Sequence, residues 1–271
     1  MLPLLAVLDE LLLKLLSSLT PADWQRPTLA RQWTVHDMAA HLLDGNLRTL
    51  SMLRDGHFAK APADASYDGL VAFLNRLNAD WVQATRRLSP AVLIELLAQS
   101  GVEYTASLAT LDPWAPAALA VAWAGESESR NWFHVACEYT EKWHHQQQIR
   151  EAVGQTTALL TKELFHPFID TLLRGLPHAY RHVAAPLGTV VQVRIGTAAG
   201  GVWQLVKAPD AWQLQPAREA ATVAAEVVLG PEVAWQLFTK GLSPAAAQPC
   251  VQLLGNQELA KAALQLVAVM A

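Results

Sequence analysis

The stretch EKWHHQQQIREAVG, residues 141–154, decides how the whole chain is read. It has the length of a helix closed by Gly154, yet it carries a carboxylate, two adjacent imidazoles and three glutamines where a bundle helix usually carries leucines. On a helix turning about 100° per residue, Glu141 and His145 are neighbours one turn apart. Cys137 lies one turn earlier and Gln148 one turn later on nearly the same stripe. Burying such groups unmet would cost roughly 1–3 kcal/mol each, so the stripe needs something to bind.

A divalent cation is an economical answer, because a carboxylate oxygen and an imidazole nitrogen one turn apart can coordinate the same ion. Spacing alone is weak evidence: 24 acidic residues and 9 His in 271 positions give roughly 0.8 acid-x-x-x-His matches by chance. The chain holds a second match, Asp37 and His41, in WTVHDMAAHLL, 33–43. Thr34 and Asp37 have capping-box spacing, which assigns Asp37 to the helix start. His41 falls on the apolar stripe with Val35, Met38 and Leu42 and is expected to point inward. His41, Glu141 and His145 then make a two-His, one-carboxylate set with open positions, the pattern of a catalytic metal.

Around these two segments the first 180 residues read as helical. A first helix covers 2–19, a second runs from Thr34 to about Arg54, and a third spans 67–97 with LSP, 88–90, as a candidate break. A fourth covers about 126–153. Four long helices predict an antiparallel bundle over 1–155. The linker LDPWAPAALAVAWAG, 111–125, is expected to pack over its mouth. A connecting segment, 156–184, holds a fifth helix at 160–176. Beyond 185 the texture becomes β-branched: TVVQVRIG, GVWQLVKA and ATVAAEVVLG read as strands, and 231–241 and 256–270 as helices, so 185–271 is expected to form a small α+β domain. Trp203, Trp212 and Trp235 are assigned to its core.

Bulk composition narrows the function. A charge of -4 with only 20 Lys plus Arg offers no footprint for nucleic acid. Cys137 and Cys250 are the two cysteines and neither sits in a CxxC pair, which argues against a disulfide framework or zinc ribbon. Cys137 reads as a small buried hydrophobe rather than a nucleophile. The apolar opening is interrupted by Asp9, Glu10 and Lys14, so it reads as an amphipathic helix rather than a signal peptide, and no segment is long enough to span a membrane. A cytoplasmic protein is expected, with its oligomeric state open.

The segments WTVHDMAAHL and EKWHHQQQIREAVG resemble the two signature helices of the mycothiol-dependent maleylpyruvate isomerase family, within the DinB-like metalloenzyme superfamily. PADWQRPT, 21–28, fits the same pattern, and the tail resembles that family's sterol-carrier-protein-like α+β module. The resemblance implies a DinB-like four-helix bundle whose metal ligands fall on His41, Glu141 and His145. Zinc is the family's usual metal, and iron, nickel or manganese would suit the same donors. Gln148 stands where relatives often carry an aspartate, and His144 is an additional imidazole. Both are candidates for orienting the ligand rings. The implied chemistry is addition of a low-molecular-weight, mycothiol-like thiol to an electrophilic substrate, as an isomerase or an S-transferase. Arg181, Arg194 and Arg218 of the tail are candidate contacts for carboxylates of thiol or substrate. No residue is assigned a catalytic proton transfer. The alternatives are a metal-dependent hydrolase, or a non-enzymatic small-molecule or lipid-binding protein with a structural metal.

Overall fold

The computed structural model describes residues 1–30, 32–58, 62–64, 66–218 and 221–269. The chain divides into two compact units, one made of 1–120 and 128–156, the other of 121–127 and the chain from 157 onward. No helix among the described residues is long and apolar enough to cross a membrane.

The first unit is built from α1 (Leu2–Ser18), α2 (Val35–Thr49), α3 (Tyr67–Thr85), α4 (Pro90–Ala109) and α5 (Asn131–Val153). α1 buries Leu5, Leu8, Leu12, Leu15 and Leu16, the three-and-four spacing of one helical face. α2 starts where the capping box predicts: Thr34 Oγ1 accepts from the Asp37 amide while the Asp37 carboxylate accepts from the Thr34 amide. It then widens into a π-helical turn over Leu50–Arg54.

The third helix expected at 67–97 is two. Arg86 and Arg87 form a turn, Ser89 caps α4 by accepting from the Val92 amide, and Pro90 occupies its first turn, where a missing N–H costs nothing. α4 continues past the expected end to Ala109.

α1, α4, α2 and α5 close a four-helix ring, with α3 packed against α2. The antiparallel expectation holds for only part of it. His36 meets Leu88, Asn46 meets Ser100 and Arg54 meets Glu103, so contacts advance together and α2 and α4 run parallel. Lys142 with Asp9 and Ala152 with Arg26 likewise place α5 parallel to α1. Arg26 also accepts from the Val35 amide, which puts the end of α5 beside the start of α2, so these two are antiparallel. α3 acts as the crossover that makes this possible. Leu12, Leu16, Trp24, Val35, Met38, Leu43, Leu93, Leu97 and Ile149 form the core at the α2 N-terminal end. The early linker does not lie free: residues 113–117 pair their backbone with 129–132, at the start of α5.

The second unit contains α6 (Lys162–Leu173), α7 (Leu176–Ala179), a five-stranded sheet, and α8 (Pro231–Phe238), α9 (Pro244–Ala247) and α10 (Gln257–Ala263). The strands β1 (Val190–Ile195), β2 (Gly201–Lys207), β3 (Trp212–Pro216), β4 (Ala225–Leu229) and β5 (Gln252–Gly255) lie in the order β3-β2-β1-β4-β5. Only β1 and β4 are parallel. β3 and β5 are short edge strands that alternation did not reveal. Trp203, Trp212 and Trp235 are all buried, as expected. Buried glutamines make a row across three strands: Gln204 donates to Gln192 at 2.9 Å, and Gln192 donates to Glu226 at 2.9 Å. The last residues of the expected helix at 256–270 are not helical, and Met270 lies outside the described residues.

Candidate metal centre

α5 answers the puzzle of its own sequence in part without any ligand. Its donors face several directions, and most meet neighbouring chain. Lys142 Nζ donates to Asp9 Oδ1 at 2.6 Å and sits 4.5 Å above the Tyr104 ring, while the Tyr104 hydroxyl donates to Glu138. Gln146 reaches into the ladder of α1: with its amide turned so that both ends are satisfied, its nitrogen donates to the Leu8 carbonyl at 3.2 Å and its oxygen accepts from the Leu12 amide at 2.9 Å. Gln147 donates to the Thr156 carbonyl and Arg150 to the Leu11 carbonyl. These are the partners that buried polar groups require.

The stripe facing α2 is different. Donor atoms of His41, Glu141 and His145 all lie within 4.8 Å of one another. α2 delivers His41, whose ring centre is 4.6 Å from that of His145 at an interplanar angle of 88°. Trp33, just ahead of the α2 cap, backs the His41 ring at 4.8 Å. α5 delivers the other two: His145 Nε2 is 3.1 Å from Glu141 Oε2, and His145 Nδ1 is 2.9 Å from Gln148 Oε1. Gln148 thus meets His145 directly. Asp37 takes no part, since its carboxylate is held by the cap and by two bonds from Arg86.

The donor inventory favours a cation here. Gln148 Oε1 accepts, which places a proton on His145 Nδ1 and leaves Nε2 beside the Glu141 carboxylate, where a cation could bridge the two. His41 Nδ1 is buried without a hydrogen-bond partner among the described residues. Burial, with the neighbouring His145 and then Arg48, holds the His41 imidazole well below its ordinary range. It is therefore neutral at physiological pH, as a metal ligand must be. These residues fit a divalent ion, with Glu141 on the exposed side.

His144 is buried with its ring centre 4.4 Å from that of His145, and burial, followed by the charges of His145 and His41, pushes its imidazole well below the ordinary value. The family model for the mycothiol maleylpyruvate isomerase N-terminal domain matches residues 5–150, which contain the whole constellation. The chain belongs to that family. Two solved structures of the mycothiol-dependent maleylpyruvate isomerase, one a histidine-to-alanine mutant, match with TM-scores of 0.55 and 0.53. Each match is 13% identical and covers 93% of this chain and 90% of the other, a likeness of fold across both units. No curated protein matches the sequence significantly.

Of the candidate arginines of the tail, Arg181 and Arg194 bond through their guanidinium groups, whereas Arg218 is bonded through its backbone and is exposed. Arg194 Nε donates to Glu226 at 2.8 Å, Arg181 donates to the His178 carbonyl at 2.8 Å, and the Arg218 amide donates to Gln204 at 2.9 Å. Neither Cys137 nor Cys250 is in a disulfide. Of the histidines without an evident role in the sequence, His36 Nε2 meets the Leu88 carbonyl and His166 Nδ1 meets the Gly200 carbonyl, while His134 lies 3.7 Å from Glu138, beyond hydrogen-bond distance. What the sequence reading missed near the centre is Gly45 and Arg48, four and seven residues after His41 on the same face of α2.

Proposed function

We propose that this chain is a metal-dependent enzyme using a mycothiol-like thiol, acting as a maleylpyruvate isomerase-like isomerase or as a thiol S-transferase. The observation that carries this reading is the convergence of His41, Glu141 and His145 from two antiparallel helices. Among the described residues the cluster stops at three donors, which suits a site that also takes an exogenous ligand better than a closed structural one.

A bound divalent cation would supply a lowered thiol pKa, so that the sulfur is held as the nucleophilic thiolate. The chain's own residues do the rest. His41, Glu141 and His145 fix the ion, Gln148 locks the His145 tautomer, and buried Trp143 and half-buried Trp33 support the helices from which the ligands project. Zinc suits the donors, as do iron, nickel and manganese.

The test is a metal analysis of purified protein followed by a thiol panel assayed against cis-conjugated keto acids such as maleylpyruvate, with and without chelator. One ion per chain, together with turnover that needs both ion and thiol, is the expected result. Protein with no stoichiometric ion, or turnover indifferent to thiol, would overturn the reading.

A further inference from the structure

His41, Asp44, Gly45 and Arg48 stand at i, i+3, i+4 and i+7 of α2, so they share one face. All four are half-buried, while Leu42, Leu43, Asn46 and Thr49 around them are buried. A bundle helix ordinarily closes such a face with large apolar side chains. Here its middle position is glycine, and a Cβ built on Gly45 would meet nothing within 4 Å. There is open space at Gly45, between the turns of α2 that carry His41 and Arg48.

Arg48 is poised rather than satisfied. Its Nη2 stands 3.4 Å from Asp44 Oδ2, whereas Nη1 is buried and has no hydrogen-bond partner among the described residues. A buried donor left unmet is costly even on a half-buried side chain, so a ligand that meets it gains correspondingly. Arg48 lies roughly 10 Å beyond His41 along the helix axis, and helical side chains lean toward the N-terminus, which brings the guanidinium back toward His41. Its charge registers on the His41 ring. On antiparallel α5, seven residues before His145, the corresponding carboxylate is Glu138, which already accepts from Tyr104 and faces His134.

We propose that Arg48 is a positioning residue that receives a carboxylate of the ligand held at the His41, Glu141 and His145 centre, with Gly45 leaving room for the connecting atoms. This rests on the metal and thiol reading above. A planar fork of N–H donors matches a carboxylate better than any other group on this face. The carboxylate can belong to the thiol or to the electrophile, and the two sources separate experimentally.

Cobalt-loaded protein is titrated with 3-mercaptopropionate and with 3-mercaptopropan-1-ol, reading the thiolate-to-cobalt absorption band, for wild type, Arg48→Met and Arg48→Lys. A second arm titrates succinate by calorimetry, both into protein saturated with the mercaptoalcohol and into metal-free protein. Wild type is expected to prefer the carboxylate in one arm by roughly 10-fold or more, the scale of a charge-assisted pair. Arg48→Met should abolish that preference with cobalt content, melting temperature and alcohol binding unchanged, and Arg48→Lys should keep part of it. Preference in the first arm assigns the carboxylate to the thiol, and in the second to the electrophile. No carboxylate preference in either arm, or one that survives in Arg48→Met, overturns the proposal. Wild type that takes up no cobalt instead defeats the metal reading, and the metal-free succinate titration still decides Arg48.

Discussion

At the residue scale, His145 shows how a side chain's neighbours set its chemistry. Gln148 fixes which nitrogen carries the proton, and so frees the other to face Glu141. Replacing His41 by Ala removes the donor from α2, and the expected outcome is protein that purifies with far less than one ion per chain by metal analysis. Gln148→Ala should keep the ligands but lower metal affinity by roughly 10- to 100-fold, the usual effect of losing the partner that orients a ligating imidazole, read by competition with a chelating dye. Asp37 was distinguishable from His41 in the sequence because Thr34 stood three residues before it. Arg48 was not, since an arginine two turns along a helix is ordinarily a solvated one, and only the orphaned Nη1 singles it out.

At the scale of the element, α2 depends on its start. Thr34→Ala should cost about 1 kcal/mol, seen as a lower unfolding midpoint in denaturant, because it leaves the Asp37 amide without its cap. Burial alone would raise the Asp37 carboxyl, but Arg86 and the Thr34 amide bond its ionised form and hold it below the ordinary 3.8. Its contribution is therefore complete above that value and lost as pH falls through the lower folded value. Thermal melts from about pH 5 down to about pH 2 should show a steeper loss in wild type than in Asp37→Asn. α5 depends on Gln146, whose amide is wedged into α1. Gln146→Ala would remove its contacts to Arg150 and to the Leu8 and Leu12 backbone, and a loss of roughly 1–2 kcal/mol in chemical denaturation is expected. The end of α5 was legible from Gly154, although the helix begins at Asn131 rather than near 126. The directions of its buried glutamines were not, because three adjacent glutamines point three ways and periodicity cannot say which neighbour each will find.

At the scale of the molecule, a ligand that binds only the folded first unit stabilises that unit by mass action. Scanning calorimetry with and without chelator should show one transition moving down on metal removal and the transition of the second unit unmoved. A coincident fall of both would show that the units unfold together.

The sequence by itself determined that this chain carries a helical half and a later α+β half, where α2 begins, and which His and Glu could share an ion. Those features are local: caps act over three residues, ligand pairs over four, and strand alternation over six or seven. The tertiary structure alone decided that α2 runs parallel to α4 and antiparallel to α5, that LSP is a true break, and that β3 and β5 complete the sheet. It also decided that the face beyond His41 stays open at Gly45. Such features are set by which distant segments meet, and a buried donor's partner is chosen by packing across the bundle rather than by its neighbours in the chain.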